Sequence, residues 1–117
     1  MIGRLRRLLR EYRDIISSVE SMEIRATGKL TILRMKLVLI DGSKVYVREI
    51  WRLGRLLDYS YWWLDINDEL MEGWDNSPHH PEIKTYPHHK HTPEGVKELH
   101  NPSLSNFLET IRKRILQ

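Results

Sequence analysis

The chain has 117 residues, a formal net charge of +3 and no cysteine. A chain of this length typically forms one domain, and without cysteine it contains neither a disulfide nor a thiolate-metal site. Its apolar runs are far too short to span a bilayer, and arginines interrupt the first residues, where a secretory leader needs an apolar stretch. We therefore predict a single domain over residues 1–117 that is cytoplasmic and has no membrane partner.

Basic side chains concentrate near the two ends of the chain. Five arginines lie in the first 13 residues, and Arg112, Lys113 and Arg114 form a second cluster. Such clusters attract phosphate backbones, although solvated helix faces often look the same.

The N-terminal segment has apolar residues at the spacing of one helix face. They are Leu5, Leu8, Leu9, Tyr12, Ile15, Ile16 and Val19. This spacing predicts a helix over about residues 3–18 that packs on a sheet, with Ser17-Ser18 weakening the helix at its end.

Alternating apolar and polar residues then predict strands. We expect five, at about residues 21–27, 29–40, 44–53, 56–64 and 69–75, with a hairpin turn at Asp41-Gly42. The links are too short for parallel crossovers, so the strands should form an antiparallel meander. Glu49 falls on an otherwise apolar face, which places it either at the sheet margin or in a site.

Aromatic residues occupy one face of the last two predicted strands. A two-residue loop at Ile66-Asn67 would set Tyr61 opposite Glu72 and Tyr59 opposite Trp74, and Trp63 would join them in one patch. Cross-strand aromatics usually stabilise a sheet, and the functional alternative is a platform on which bases stack.

Two Pro-containing helix starts follow. Thr92-Pro93 predicts a short helix over 93–99, and Asn101-Pro102 predicts a longer one over about 102–116. The expected fold is α+β: a five-stranded antiparallel meander with an N-terminal helix and one short plus one longer C-terminal helix packed on the sheet.

The segment 74–91, WDNSPHHPEIKTYPHHKH, contains five of the six histidines and three of the five prolines. Histidine is the side chain best suited to proton transfer or metal binding near neutral pH. The plain alternative is a solvated surface loop, or a rigid polar surface that docks a partner protein. A metal site is a further alternative, because His89-x-His91 in an extended segment puts both rings on one face. His79 or His80 with Asp75 would complete its ligands.

The favoured hypothesis is general acid–base catalysis on RNA. Two imidazoles would deprotonate a 2′-hydroxyl and protonate the leaving oxygen, without a metal or another cofactor. Lys90, with Arg48 or Arg52, would stabilise the developing charge. The candidate catalytic residues are Asp75, His79, His80, His88, His89 and His91, with Glu49 and Tyr61 as orienting groups. Asn76, Tyr59 and Trp74 are candidates for substrate binding.

Several motifs resemble the TumE family, toxins of prokaryotic type II toxin–antitoxin modules. They are Asp41-Gly42-Ser43 followed by a strand with Glu49, then Tyr59-Ser60-Tyr61, residues 74–82 (WDNSPHHPE) and residues 86–91 (YPHHKH). Together they cover roughly residues 41–91. The family pattern has a histidine where this chain has Trp62, and an arginine where it has Gly73.

The resemblance implies a toxin, and it suggests a ribonuclease because many small toxins of such modules cleave RNA. It also implies a cognate antitoxin, commonly a small DNA-binding protein that would cover the basic or aromatic surface. RNA is the expected substrate, and a homodimer is compatible with the sequence. If the residues replaced by Trp62 and Gly73 are catalytic in the family, this copy is impaired or works differently.

Overall fold

The computed structural model describes residues 1–117 as one antiparallel sheet with two helices. The elements are α1 (Ile2–Glu11), β1 (Ile16–Thr27), β2 (Leu30–Leu39), β3 (Lys44–Arg52), β4 (Arg55–Leu64), β5 (Leu70–Asp75), β6 (His89–Thr92), β7 (Gly95–Glu98) and α2 (Leu104–Ile115). Strand order in the sheet follows the sequence from β1 to β7, and every pair is antiparallel. The meander is confirmed, with seven strands instead of the five expected. Neither helix is both long enough and apolar enough to cross a membrane.

The N-terminal helix is shorter than predicted. It ends at Glu11, and β1 begins at Ile16, where the helical pattern seemed to continue. Ile15 and Ile16 fit the apolar spacing of a helix as well as that of a strand, but β-branched residues beside Ser17-Ser18 favour the extended state. Tyr12 and Ile15 are buried all the same, in the turn that joins the helix to the sheet.

The short helix predicted over 93–99 was wrong. These residues form the turn and second strand of a hairpin, in which His91 pairs with Val96 and Thr92 with Gly95. Thr92 Oγ1 accepts from Glu94 N at 3.2 Å and donates to Gly95 O at 2.9 Å. Pro followed two residues later by Gly suits a tight turn as well as a helix start. The longer helix is confirmed at Leu104–Ile115, where Ser103 caps its N-terminus by accepting from Asn106 N.

The register predicted between β4 and β5 was wrong by two residues. Tyr61 lies opposite Trp74, and Trp63 lies opposite Glu72. Asp65 accounts for the difference, because its carboxylate accepts from Asn67 N and Glu69 N and so holds a loop longer than two residues. A shift of two keeps every side chain on its face, so the aromatic patch still forms.

One sheet face carries the core under both helices, and the other face is open. The core contains apolar residues of β2–β5 with Leu5 of α1 and Phe107, Leu108 and Ile111 of α2. Phe107 packs on Tyr61 and Trp74, with ring centroids 5.6 and 5.0 Å apart. The helix-covered face thus buries the apolar set, and the opposite face presents polar side chains to solvent.

Candidate functional site

The Asp75 carboxylate at the end of β5 lies between two histidines. Its Oδ1 is 3.0 Å from His89 Nε2, and its Oδ2 is 3.0 Å from His91 Nε2. Ser77 donates to Oδ1 from its hydroxyl at 2.7 Å and from its backbone at 3.0 Å. Burial favours a raised pKa for Asp75, but the bonds from Ser77 and the nearby imidazoles outweigh it and lower the pKa. The group is therefore a carboxylate at neutral pH.

Strand pairing creates this arrangement. Asp75 pairs with His89 and Gly73 with His91, and side chains two residues apart on a strand share a face. Both rings therefore reach the carboxylate on the open face. Lys90 points the other way, opposite Trp74, where it lines a cavity with Glu98 and Lys113. The structure does not bring Lys90 to the histidines that flank it.

His89 is held in one orientation. It is 1% exposed, and its Nδ1 lies 2.8 Å from the carbonyl oxygen of Pro87. A carbonyl only accepts, so Nδ1 carries a proton, and whenever the ring is neutral Nε2 has the lone pair. This Nε2 has no hydrogen-bond partner, although Asp75 Oδ1 is 3.0 Å away.

His80 completes a group of three rings. It packs edge-on against His89 and His91, with centroids 4.9 and 5.9 Å apart. Its Nδ1 lies 3.2 Å from Glu82 Oε1, which orients the ring. The side chain is 30% exposed, so His80 is accessible from solvent. We call Asp75, His80, His89 and His91 the histidine cluster.

The other two predicted histidines lie outside this cluster. His79 is exposed in the loop after β5. His88 stacks on Tyr59 and shares a hydrogen bond of 2.8 Å between Nδ1 and the Tyr59 hydroxyl. Burial lowers the pKa of His88, and the neighbouring His89 lowers it further. In each of the two Pro-His-His repeats, the second histidine therefore lies in the cluster and the first lies outside it.

Glu49 and Tyr61 lie on the helix-covered face, away from Asp75. The Glu49 carboxylate is 2% exposed and accepts from the Tyr61 hydroxyl and, at 3.0 Å, from Trp51 Nε1. Arg4 Nη2 is 3.9 Å away, and these groups border a cavity of about 300 Å³ between α1 and α2. As orienting groups for the histidines, Glu49 and Tyr61 are on the wrong side of the sheet.

Three of the predicted substrate-binding residues make structural contacts within the fold instead. Tyr59 and Trp74 are buried in the core, so neither ring offers a free face to a base. Asn76 accepts from Tyr59 N at 3.1 Å and donates to Leu57 O at 3.0 Å, which joins the end of β5 to the start of β4. The expected stacking platform is therefore a structural feature of the core.

Two cross-strand rows on the open face lead to the histidine cluster. One row runs through Arg34, Arg48, Ser60, Asp75 and His89, and the other through Lys36, Tyr46, Trp62, Gly73 and His91. Residues of both rows line a depression of about 340 Å³. Arg52, at the far end of β3, is not in either row.

Trp62 and Tyr46 are two aromatic residues of the open face that were not among the predicted site residues. Trp62 lies against His91, with centroids 5.0 Å apart, and its Nε1 donates to Ser60 Oγ at 2.6 Å. Tyr46 is exposed beside Lys36, whose ammonium is 5.3 Å from the ring centroid. Both residues alternate with buried residues on their strands, and this alternation in the sequence could have placed them on the open face.

Comparison with known proteins identifies the family. The family model described as Toxin TumE matches residues 5–115, nearly the whole chain. The chain belongs to the TumE toxin family. The resemblance seen over residues 41–91 is thereby confirmed and extends over both helices, and membership gives the chain the role of a toxin. A search of curated proteins and a search of solved structures each found no match.

Within this TumE-family chain, the two residues expected to depart from the family pattern are cross-strand partners. Trp62 pairs with Gly73, and a Cβ at residue 73 would lie 2.3 Å from Trp62 Cε3. The indole thus occupies the space above the glycine. Trp62 and Gly73 therefore form a single structural feature beside His91.

Proposed function

We propose that the protein is the toxin of a type II toxin–antitoxin module and that it cleaves RNA at the histidine cluster. The observation that carries the proposal is the pair of rows on the open face, which join basic and aromatic side chains to that cluster. Neighbouring strands lie about 4.8 Å apart, so Arg48 on β3 is about 10 Å from Asp75 on β5. RNA bound along these rows would pass directly over the accessible imidazoles.

The side chains of the open face suit single-stranded RNA. Arg34, Lys36 and Arg48 supply positive charge for phosphates, and exposed Tyr46 and half-buried Trp62 supply ring faces for bases. Arg48 is held in place by Asp58, whose Oδ1 lies 2.7 Å from the guanidinium. Binding of this kind depends on salt and tolerates many sequences.

The cluster can supply the proton transfers of RNA cleavage. A base that removes the proton of a 2′-hydroxyl lets that oxygen attack the adjacent phosphorus, and an acid that protonates the 5′-oxygen releases the second fragment. His80 and His91 are the accessible imidazoles, with side chains 30% and 25% exposed. Glu82 orients His80 and Asp75 orients His91. The buried ring of His89 packs against both of these rings.

Cleavage of a labelled single-stranded RNA by purified protein tests this function. We expect His80→Ala and His91→Ala to lower the rate at least 100-fold, as loss of a general acid or base typically does. His79→Ala is the matched control, because His79 lies in the same loop but outside the cluster, and it should retain the wild-type rate. Intact RNA after incubation with antitoxin-free wild-type protein would reject the ribonuclease.

The proposed partner is an antitoxin encoded by the neighbouring reading frame, expected to be a small DNA-binding protein. We propose that it covers the open face and so excludes RNA. Co-expression should relieve growth inhibition, and in the complex Trp62 and Tyr46 should be protected from chemical labelling. Unchanged labelling of both residues in a neutralised complex would place the antitoxin elsewhere.

A further inference from the structure

We propose that Asp75, His89 and His91 form a binding site for one divalent transition-metal ion of the zinc class. The site is part of the histidine cluster, but the inference does not require that the protein cleave RNA. It favours the metal alternative over the metal-free chemistry expected from the sequence.

The spacing of the three side chains fits a metal ion. One ligand atom from each lies within 4.8 Å of the other two, and Asp75 is 3.0 Å from each imidazole nitrogen. Ligands at about 2.0–2.2 Å from a tetrahedral ion are separated by roughly 3.3 Å. Small rotations of the side chains are therefore enough to enclose an ion.

The unpaired nitrogen of His89 is the second, independent observation. Nδ1 donates to Pro87 O, and Nε2 is buried, has no hydrogen-bond partner and is close to Asp75 Oδ1. That oxygen already accepts two hydrogen bonds from Ser77. When the ring is neutral, its lone pair faces a carboxylate, which is unfavourable unless a cation lies between them. Metal-ligating histidines typically donate their other N–H to a carbonyl in this way.

The donor set indicates the class of metal. Two imidazole nitrogens and one carboxylate suit Zn²⁺, Co²⁺ or Ni²⁺, whereas Mg²⁺ and Ca²⁺ prefer oxygen ligands. Ser77 orients Asp75 as the Pro87 carbonyl orients His89, so two of the three ligands have an outer partner. With three protein ligands, the ion keeps an open position, which is typical of catalytic sites.

If the proposed function is right, an RNA phosphate oxygen or a water molecule would take that open position. His91 would then hold the ion instead of moving a proton, so His80, which is not one of the three ligands, and water bound at the open position would share the two proton transfers. This assignment rests on the proposed function, whereas the metal site itself does not.

Titration of the metal-stripped full-length protein with ZnCl₂ alone, by calorimetry, tests the site. We expect one Zn²⁺ per chain at micromolar or tighter affinity, and a tetrahedral absorption spectrum with Co²⁺. Asp75→Asn and His91→Ala should weaken binding at least tenfold, and His79→Ala should leave it unchanged. His91 is partly exposed, so this variant should fold even if changes at buried His89 do not. Circular dichroism checks the fold of each.

Absence of stoichiometric binding, or equal affinity in the His91→Ala variant, overturns the metal site. The two proposals fail in different ways. Zinc binding without RNA cleavage keeps the site and rejects the ribonuclease, whereas RNA cleavage in EDTA by protein that binds no zinc does the reverse.

Discussion

Tyr59 and Tyr61 stack on each other, with centroids 5.1 Å apart, yet their hydroxyls have different partners. Tyr61 donates to Glu49, and Tyr59 is bonded to His88 Nδ1. Burial raises the pKa of both phenols, and the carboxylates of Asp75 and Glu49 raise them further. Both hydroxyls therefore stay protonated near neutral pH. A protonated Tyr59 hydroxyl can donate to His88 Nδ1 or accept from it, and the tautomer of the ring decides which.

Protonation of His88 should destabilise the fold. Its pKa in the native state is below the ordinary 6.5, because burial opposes the charged ring. Below about pH 6.5 the unfolded chain binds a proton that the native chain resists, so the unfolding free energy falls as the pH drops. Urea denaturation at pH 7.5 and pH 5.5 should show the wild type losing more stability than His88→Gln.

His100→Gln is the control for this prediction, since His100 is exposed and should follow the wild type. Because the wild type and His88→Gln share every other ionisable group, only the difference in stability between these two proteins is informative. An equal difference at both pH values would contradict a lowered pKa at His88.

At the scale of elements, Trp62 and Gly73 fix how β4 and β5 pack beside the cluster. We predict that Gly73→Ala costs about 1–3 kcal/mol, because its methyl group would force the indole to move. In a Trp62→Ala background the same change should cost nothing or stabilise, since alanine is favoured over glycine in a strand by about 0.5–1 kcal/mol. Chemical denaturation of the four proteins gives the coupling energy. Equal effects in both backgrounds would show that the indole does not restrict residue 73.

The sequence was most informative where one periodicity excluded the other. Residues of β2 and β3 alternate cleanly, and Asp41-Gly42 is a turn in which Gly42 has φ +84°. The predicted end of α1 was wrong because Ile15 and Ile16 fit both the helix period and the strand period. The hairpin of β6 and β7 was mistaken for a helix because Thr92-Pro93-Glu94-Gly95 suits a turn as well as a helix start. Local patterns identify elements, but they do not choose between states of similar local energy.

The candidate site was predictable only in part. The period of a strand puts His89 and His91 on one face, as expected. That Asp75 meets them depends on the pairing of β5 with β6, across a loop of 13 residues whose path the sequence does not reveal. The path of the same loop brings His80 to the cluster and leaves His79 and His88 outside it. The prediction grouped the five histidines of residues 74–91 into one site and did not anticipate that His88 packs against Tyr59 instead.

At the scale of the whole molecule, positive charge occurs on both faces of the sheet. On the open face, Lys36 and Arg48 are paired with Glu20 and Asp58, whereas Arg34 forms no ion pair. On the helix side, exposed Arg6 and Arg10 of α1 are likewise unpaired. The net charge therefore does not identify the face that binds RNA, and only a comparison of the faces can.

Charge-reversal variants on the open face and on α1 show which of the two surfaces binds RNA. The double variant Arg34→Glu with Arg48→Glu should weaken RNA binding at least tenfold near 0.1 M salt. The steepness with which the log of the association constant falls with log salt should decrease by about 1.4, since each phosphate contact to single-stranded RNA contributes about 0.7. Arg6→Glu with Arg10→Glu makes the same change in net charge on α1 and should have a much smaller effect. Fluorescence anisotropy across a salt series measures both. If the two double variants lose affinity equally, RNA responds to net charge alone, and the open face has no special role in binding it.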